Sequence, residues 1–285
     1  YMKKHYLITG ASGYIGSHIA EFLLKKNIRC VLFDKKKSKF FKKNQLILGD
    51  ICDGVKLNKI TKNIDIVFHF AATADLYEAN KKPFETIENN LSSTLKLLKA
   101  SIKNKVKKIV FASSVYAISE QGGIYSTTKL ASEMLIEKIC KKYKIDFIIL
   151  RFGTVYGGRA NKFNTVNNYI NLAIKKKKIF RETRGKEVRS YIHINDAVKL
   201  VYELTKKKYS NNYYNILGNK KYFVKDLFKI IKNNIPKLKI KFSKKDKRKY
   251  NYKINPFSYQ LRKGINIKLK KYTSLETGIK NLINK

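Results

Sequence analysis

The sequence predicts an α/β protein with a doubly wound parallel sheet and a smaller, interleaved C-terminal α/β lobe. Short apolar runs alternate with amphipathic runs over the first half of the chain, which is the pattern of repeated β–α–β units. A glycine-rich stretch also lies between the first apolar run and the first amphipathic run, where such a unit makes its first turn. We expect residues 1–155 to form the doubly wound domain. Residues 156–285 then form mainly the lobe, with about 188–210 returning to the first domain.

Six short apolar runs predict the strands of the first domain. They are Tyr6–Thr9, Ile28–Phe33, Gln45–Leu48, Ile64–Phe70, Lys108–Ala112 and Phe147–Leu150. Longer stretches between them carry apolar residues at helical spacing, as Ile15, Ile19 and Leu23 do in the first stretch. The predicted helices are Tyr14–Lys26, Pro83–Asn104 and Ile124–Tyr143. Pro83 falls in a first helical turn, where proline is tolerated because its missing N–H has no helical partner there.

The elements become shorter and more basic after about residue 152. We expect helices over Asn164–Lys176 and Asp196–Lys206, a strand over Val188–Ile192, and a closing helix from Leu275. Three further small elements are expected over Tyr213–Leu217, Val224–Asn233 and Lys237–Phe242. This loss of the regular alternation is the reason for predicting a separate lobe.

The formal net charge of +43 would ordinarily indicate a nucleic acid or an anionic membrane as partner. However, 55 of the 63 basic residues are lysines, and they are scattered in runs such as Lys35–Lys37 and Lys175–Lys178. Surfaces that recognise nucleic acid favour arginine, which makes bidentate contacts, and they concentrate their charge. We therefore expect no nucleic-acid partner, and we expect the surplus charge to attract an anionic substrate.

No apolar stretch reaches the roughly 18 to 20 residues that would cross a bilayer, and we expect no signal peptide. The cysteines Cys30, Cys52 and Cys140 are odd in number and lack a paired spacing, so neither disulfides nor a metal site is indicated. We expect a cytoplasmic protein without membrane insertion.

The segment Thr9-Gly-Ala-Ser-Gly-Tyr-Ile-Gly16 follows a predicted strand and opens a predicted helix, which is the context of a dinucleotide-binding turn. Gly10 permits the tight turn, Gly13 lets a pyrophosphate approach the backbone, and Gly16 lets the helix pack close to the strand. The first amide groups of the helix are then available to phosphate. This glycine turn, residues 10–16, predicts a Rossmann-type cofactor site.

Asp34 closes the second predicted strand, where its carboxylate can accept hydrogen bonds from the adenosine ribose. Because a carboxylate repels a 2′-phosphate, Asp34 favours NAD over NADP. The basic run Lys35–Lys37 beside it leaves NADP as the alternative. Asp50 and Ile51 follow the third strand and suit the amino group and the ring face of adenine.

Tyr125 and Lys129 lie four residues apart on a predicted helix and therefore share one face. An ammonium group near the phenol would lower the pKa of Tyr125 towards neutrality and make it a usable general acid and base. The fifth predicted strand ends just before, at Ala112-Ser113-Ser114, and supplies hydroxyl groups at the same edge of the sheet.

Taken together, these motifs resemble the extended short-chain dehydrogenase/reductase superfamily, in particular its sugar-nucleotide epimerase/dehydratase family. The similarity covers nearly the whole chain. Besides the segments above, it includes His69-Phe-Ala-Ala72, Asn90, Arg151 to Arg159, and Arg189-Ser-Tyr-Ile-His-Ile-Asn-Asp196. The resemblance implies NAD as cofactor, a nucleotide-diphosphate sugar as substrate and no catalytic metal.

The resemblance also implies roles for individual residues. Tyr125, Lys129 and Ser114 would be catalytic, with Ser113 as the alternative to Ser114. The cofactor would contact Gly10, Ser12, Gly13, Tyr14, Ile15, Gly16, Asp34, Asp50, Ile51, Phe70, Ala71, Ala72, Asn90, Tyr125, Lys129 and Phe152. The substrate would contact Thr73, Thr154, Arg159 and Arg189, with Arg189 on its diphosphate. For His193 and Asp196 we favour structural roles, as a lobe-joining histidine and a helix-start aspartate.

The chain departs from the family pattern in ways that bear on the reaction. Only ten residues separate Ser114 from Tyr125, whereas epimerases of this family usually have a markedly longer loop there. Thr154 replaces a usual Asn, and Gly158 replaces a usual Pro. Val115 and Tyr116 follow Ser114, so the acidic pair of the 4,6-dehydratases is missing.

We predict an epimerase, of the C4 type, that oxidises a sugar transiently to a ketone and reduces it again. The alternatives are a nucleotide-sugar reductase or dehydrogenase and, less favoured, a non-catalytic dinucleotide- or RNA-binding protein. By resemblance we expect a homodimer formed through helices Pro83–Asn104 and Ile124–Tyr143, in which Leu91, Leu95, Leu98 and Ile102 equally suit packing on the sheet. Polysaccharide assembly is the expected setting.

Overall fold

The computed structural model describes residues 5–119, 121–160 and 164–243, and it confirms the predicted α/β class. The described strands are β1 His5–Thr9, β2 Arg29–Asp34, β3 Leu46–Leu48, β4 Ile66–His69, β5 Lys108–Ser114, β6 Asp146–Phe152, β7 Thr154–Tyr156, β8 Lys178–Arg181, β9 Val188–Arg189, β10 Tyr191–His193, β11 Asn212–Ile216, β12 Tyr222–Phe223 and β13 Lys239–Phe242. The described helices are α1 Tyr14–Lys25, α2 Gly54–Ile60, α3 Leu76–Lys81, α4 Pro83–Ile87, α5 Ser93–Lys103, α6 Ile124–Lys142, α7 Thr165–Lys176, α8 Ile194–Leu204 and α9 Val224–Asn234.

Within the described residues, seven strands form one parallel sheet in the order β11-β6-β5-β4-β1-β2-β3. The chain runs outwards in one direction from β1 and then restarts at β4 on the other side. Ligands of such sheets bind outside the carboxyl ends of the strands at this reversal point. The glycine turn follows β1 and Phe70–Ala72 follow β4, so both segments meet there.

Helices cover both faces of this sheet, as the doubly wound pattern requires. On one face α1 and α8 pack over a core that includes Ile8, Phe68 and Leu150. On the other face α2, α5 and α6 pack over a core that includes Leu7 and Phe111. The side chains of the central strands thus alternate between two apolar layers, and this part of the sheet is buried on both sides.

Four elements, α7, β8, α9 and β13, form a smaller lobe with its own apolar core. There α7 and α9 pack on the β8–β13 pair around Tyr169, Ile179 and Phe228. Two further strand pairs are short: β7 pairs with β10, and β9 pairs with β12. Along the chain, these strands fall where it passes between the main sheet and the lobe. The strand β11 belongs to the main sheet, where it pairs with β6.

Several predicted elements need correction. The predicted helix Pro83–Asn104 is interrupted by a wider π-type turn over Glu88–Ser92, which separates α4 from α5. The single strand predicted over Val188–Ile192 is wrong, because Ser190 divides it into β9 and β10, which pair with different strands. The strands β7, β8 and β12 and the short helices α2 and α3 were not predicted from the sequence. The closing helix expected from Leu275 lies outside the described residues.

His69 links β1, β4 and α5. Its Nδ1 lies 3.0 Å from Thr9 Oγ1 and its Nε2 lies 2.9 Å from Thr94 Oγ1. The Thr94 hydroxyl donates to the Asn90 carbonyl, so it accepts from His69 Nε2–H, and Nδ1 is left to accept from Thr9. This network requires a neutral imidazole, and complete burial lowers the pKa of His69 to about 3.

We predict that acid destabilises the protein through His69. The pKa of His69 in the folded protein lies below its unfolded value of about 6.5. The free energy of unfolding is therefore at its full value above pH 6.5 and falls by about 1.4 kcal/mol per pH unit below it. Urea unfolding should therefore show a loss of roughly 2 kcal/mol between pH 7.5 and pH 5, to which His18, whose pKa burial also lowers, adds in the same direction.

His69→Gln should be less stable at pH 7.5 and should lose most of this pH dependence. The matched control is His5→Gln at the start of β1, which should retain the wild-type dependence. Equal unfolding free energies for the wild type at the two pH values would contradict the prediction.

Candidate functional site

The glycine turn has the shape of a phosphate cradle. Gly10 has a φ of +70°, which favours glycine, and a Cβ there would lie 2.6 Å from the Ala71 amide nitrogen. A Cβ on Gly16 would lie 2.1 Å from the Gly10 carbonyl oxygen, and one on Gly13 would lie 3.0 Å from it. No described side chain caps α1 at Gly13. The first amide groups of α1 therefore remain available to a phosphate.

Asp34 connects the glycine turn to the loop after β2. Its Oδ2 accepts from the Ser12 backbone N–H at 3.0 Å, and its Oδ1 accepts from the Lys36 N–H at 2.9 Å. The Ser12 hydroxyl donates to the Lys36 carbonyl at 2.8 Å. A carboxylate has about four acceptor positions, so Asp34 retains capacity for ribose hydroxyls. The residues present at this end of the site fit a dinucleotide with an unphosphorylated ribose.

The other residues expected beside the cofactor lie around the same edge. Ile51 is buried, while Asp50 is exposed and accepts from the Cys52 N–H at 2.7 Å. The Phe70 ring packs edge-on against Phe152, which ends β6. The segment containing Ala71 and Ala72 continues from β4 past Gly10, and Tyr14 and Ile15 pack against the apolar core at the start of α1.

Asn90 joins the loop after β4 to α6. Its Oδ1 accepts from the Thr73 N–H at 2.7 Å, and its Nδ2 donates to the Thr73 carbonyl and to Thr128 Oγ1. Asn90 is 2% exposed. These contacts give it a supporting position behind the loop that carries Thr73.

Tyr125, Lys129 and Ser114 come together where β5 ends beside α6. The Ser114 hydroxyl faces the Tyr125 phenol and acts to lower its pKa, and the Ser114 oxygen accepts from the Tyr116 N–H at 3.2 Å. Lys129 Nζ donates to the Ala112 carbonyl at 2.8 Å and lies 6.0 Å from the centroid of the Tyr125 ring. The Tyr116 ring packs edge-on against that of Tyr125.

Ser113 is directed elsewhere. Its hydroxyl donates to Glu133 Oε1 at 2.5 Å, and neighbouring residues of a strand point to opposite faces of the sheet. The geometry therefore favours Ser114 over Ser113 as the hydroxyl that acts with Tyr125.

The expected lowering of the Tyr125 pKa is not found. Burial raises the pKa of the phenol to about 12, and the hydrogen bond with Ser114 offsets only part of this. Burial also lowers the pKa of Lys129 to about 8, and its ammonium group is bonded to the backbone of β5. The helical spacing correctly placed the two side chains on one face, but burial of the phenol outweighs the effect of the neighbouring charge.

The residues expected to bind substrate are distributed over the loop after β4, β7, the loop after it and β9. Thr154 lies in β7 opposite Tyr191, and Arg189 in β9 is buried and donates to the Val188 carbonyl at 2.8 Å. Arg159 pairs with Glu21 of α1, and its guanidinium lies over the Phe40 ring at 4.3 Å. These contacts place Arg159 against α1.

Glu133 is a residue that the motif analysis missed. It is 1% exposed and lies one helical turn beyond Lys129 on the face of α6 that packs against the sheet. The available signal was its spacing, because Tyr125, Lys129 and Glu133 follow one another at intervals of four residues. A carboxylate on an inward helical face indicates a buried partner.

We predict that Gly16→Ala abolishes tight NAD binding, because the added methyl group collides with the Gly10 carbonyl and displaces the turn. Overpacking of this kind costs about 1 to 3 kcal/mol of stability. Calorimetric titration should show NAD affinity reduced at least about tenfold, since a displacement worth 1.4 kcal/mol suffices for that factor. The control is Gly54→Ala at the start of α2, where a Cβ meets nothing within 4 Å. Wild-type affinity in Gly16→Ala would refute the assigned turn.

Two solved structures share the fold over most of their length. UDP-glucose 4-epimerase of Thermotoga maritima matches with a TM-score of 0.81 at 24% identity, covering 88% of each chain. UDP-glucuronic acid 4-epimerase of Bacillus cereus, solved with UDP-glucuronic acid and NAD, matches with a TM-score of 0.79 at 26% identity, covering 88% of this chain and 89% of that one.

Curated relatives carry several activities. A dTDP-D-glucose 4,6-dehydratase of Dictyostelium discoideum is 29% identical over 74% of this chain, which spans only 57% of that protein's length. A UDP-N-acetyl-alpha-D-glucosaminuronate decarboxylase of Bacillus cytotoxicus is 29% identical, covering 75% of each chain. A UDP-glucose 4-epimerase of Halalkalibacterium halodurans is 28% identical over 79% of this chain and 78% of its own.

The model of the NAD dependent epimerase/dehydratase family matches residues 6–216, from β1 to the end of β11. This range contains the glycine turn, Asp34, and the Ser114, Tyr125 and Lys129 cluster. Family, fold and site geometry agree, and NAD is the cofactor that they indicate. The chain belongs to the NAD dependent epimerase/dehydratase family.

Proposed function

We propose that the protein is an NAD-dependent nucleotide-sugar 4-epimerase, which oxidises a sugar hydroxyl to a ketone and reduces it from the opposite face. The observation that carries the proposal is the grouping of Tyr125, Ser114 and Lys129 where β5 ends beside α6, at the sheet edge that also holds the glycine turn. Relatives named as UDP-glucose 4-epimerases support the reaction type.

NAD would be held by the glycine turn and first turn of α1 at its pyrophosphate, and by Asp34 at its adenosine ribose. Lys129 and Phe152 would lie towards its nicotinamide end. When bound, NAD supplies the chemistry that amino-acid side chains lack, by accepting a hydride from the sugar carbon and returning it. The protein contributes position, exclusion of water and proton transfer.

Proton transfer falls to Tyr125 and Ser114. With a raised pKa, the Tyr125 phenol is protonated at neutral pH and can donate its proton to the ketone oxygen when the sugar is reduced. Oxidation requires the Tyr125 phenolate, which the Lys129 ammonium stabilises: it accepts the proton of the sugar hydroxyl and becomes the phenol that returns this proton to the ketone. Ser114 donates to the sugar oxygen and orients it towards Tyr125.

We propose a nucleotide-diphosphate sugar as substrate. Arg189 would pair with its diphosphate through a charge-assisted contact, and Thr73 and Thr154 would face the sugar. The contact of Arg159 with Glu21 makes it the weaker candidate in this set. A net charge of +43 raises the local concentration of such an anion.

A nucleotide-sugar reductase is the second candidate. It is favoured by the ten-residue connection from Ser114 to Tyr125, which includes a short 3₁₀ turn over Val115–Ile118 and two glycines, Gly122 and Gly123, with positive φ. A compact connection of this kind changes the pocket wall relative to longer-looped epimerases. Absorbance at 340 nm separates the two functions, because an epimerase leaves it flat and a reductase lowers it by consuming reduced cofactor.

We predict that Tyr125→Phe binds NAD normally and loses about 10²- to 10⁴-fold in kcat, since it lacks only the hydroxyl that transfers the proton. Wild type and variant are incubated with UDP-, GDP-, CDP- and dTDP-sugars, and the products are resolved by NMR. Tyr143→Phe, at the exposed end of α6, is the matched control and should retain full activity. An active Tyr125→Phe enzyme would refute the assignment.

We also propose a homodimer formed through α5 and α6. Leu95 and Met134 are exposed on these helices, and Phe84 on the adjoining α4 is 83% exposed, whereas Leu98 packs on the sheet. Replacing Leu95 and Met134 by Glu should convert a dimer into a monomer in sedimentation equilibrium. Ile230→Glu, on the exposed side of α9, is the control and should leave the dimer intact. A wild-type monomer would contradict the proposal.

We place the enzyme in the cytoplasm and in polysaccharide assembly. The three cysteines are all free, which suits a reducing compartment. In the part of the chain that the structure describes, no helix is long and apolar enough to cross a membrane.

A further inference from the structure

The inward face of α6 continues past the catalytic pair with another ionisable residue. Tyr125, Lys129 and Glu133 are each four positions apart, and all three are buried. Tyr125 and Lys129 have assigned tasks, while Glu133 lies too far along the helix to reach the same sugar oxygen. A buried carboxylate requires compensation by hydrogen bonds or opposite charge, so its partners indicate what it does.

Glu133 connects α6 to the two strands beneath it. It accepts from the Ser113 hydroxyl of β5 at 2.5 Å. It also accepts from Arg151 of β6, through Nε at 3.0 Å and Nη2 at 2.6 Å, which is a bidentate guanidinium–carboxylate pair. Ser113 and Arg151 are register partners in the β5–β6 ladder. One carboxylate therefore fixes the helix against two adjacent strands.

A second contact supports the arginine from the far side. The Arg151 guanidinium lies over the Tyr213 ring of β11 at 4.7 Å, and the Tyr213 hydroxyl donates to Glu137 Oε2 at 2.6 Å. Glu137 lies one turn further along α6. The set Ser113, Glu133, Glu137, Arg151 and Tyr213, here called the α6 clamp, therefore ties the catalytic helix to β5, β6 and β11.

The surroundings of Lys129 show why the charge of Glu133 matters. On β5, the ammonium group faces the Ala112 carbonyl and the Phe111 ring, whose centroid lies 4.8 Å from Nζ. On β4, His69 is neutral. Burial lowers the pKa of Lys129 to about 8, and Glu133 acts in the opposite direction by raising it.

Ser114 adjoins Ser113 in sequence, so the same contact also influences the other half of the site. A Ser113 side chain anchored to Glu133 fixes the end of β5, and Ser114 follows it directly. The distance between Ser114 on β5 and Tyr125 on α6 then depends on how α6 is docked.

We propose that Glu133 is a positioning residue that acts through Lys129: its carboxylate docks α6 on β5 and β6 and keeps the Lys129 ammonium charged at the active site. The proposal deepens the function proposed above and rests on it for the catalytic consequence. Its electrostatic part stands independently, because it concerns the charge of Lys129 in the protein without substrate.

The test compares Glu133→Gln, Glu133→Asp and Glu137→Gln. Glu133→Gln keeps the shape and removes the charge, and Glu133→Asp keeps the charge on a shorter side chain. Glu137→Gln is the matched control, because it removes a carboxylate of the same clamp one turn further from Lys129. The titration of Lys129 is followed by NMR of ¹³C-labelled lysine, with its signal assigned from its disappearance in Lys129→Met. Thermal unfolding of each variant establishes that it is folded.

In Glu133→Gln the Lys129 titration should move down by about one pH unit or more, since the opposite charge one helical turn away has been removed. The alkaline fall in kcat should move down by the same amount, while the KM for the nucleotide sugar changes little. In Glu133→Asp the pH at which Lys129 titrates should lie close to the wild-type value, and in Glu137→Gln it should equal that value.

A folded Glu133→Gln protein with an unchanged Lys129 titration would overturn the proposal, and so would an equal shift in Glu137→Gln. If the wild type turns over no nucleotide sugar, the proposed function fails, but the Lys129 titration still decides the role of Glu133. If Glu133→Gln does not fold, the test rests on Glu133→Asp, which keeps the carboxylate. A Lys129 titration well below the wild-type value in that variant would overturn the proposal, because the carboxylate charge would then not set the Lys129 titration.

Discussion

A buried ammonium group is the constraint on which the rest of the proposed active site depends. Lys129 is 4% exposed, and a charged amine at such a position requires compensation in every direction. The Ala112 carbonyl accepts its hydrogen bond, the Phe111 ring faces it, and Glu133 supplies the negative charge. Each of these partners belongs to β5 or α6, so the charge of Lys129 depends on how α6 is docked against β5.

The parallel sheet brings segments that are distant in sequence together at one edge. The glycine turn after β1 and the loop after β4 meet at the reversal of strand order, and Thr9 bonds to the backbone of that loop. His69 and Asn90 then connect the loop to α5 and α6 without any charge of their own. Neutral side chains such as His69 and Asn90 suit this position, because a second buried cation beside Lys129 would destabilise its ammonium form.

The fold class, the glycine turn and the placement of Tyr125 and Lys129 on one helical face could be predicted because each depends on local spacing. The glycines of residues 10–16 and the interval between Tyr125 and Lys129 have a meaning within one turn or one helix. The pKa of Tyr125 could not be predicted in this way, since it depends on burial produced by strands far away in sequence. Glu133 was missed for the same reason, because its partners Ser113 and Arg151 are brought together only by the β5–β6 register.

The second half of the chain was harder to predict. Short strands such as β7, β9, β10 and β12 carry too few residues for an alternating pattern, and their pairing is decided by tertiary contacts. Ser190 divides a segment that is predicted as one strand from the sequence. The strand β11 has a similarly short pattern, yet the pairing with β6 assigns it to the main sheet.

The most direct test of the proposed chemistry is the fate of the hydrogen on the carbon that changes configuration. A nucleotide sugar that carries deuterium at that carbon is incubated with the enzyme and NAD, and the product is examined by NMR. Transient oxidation and return within one active site predicts an inverted product that retains deuterium on the same carbon. Deuterium lost to water, or found on another carbon with elimination of water, would contradict the account.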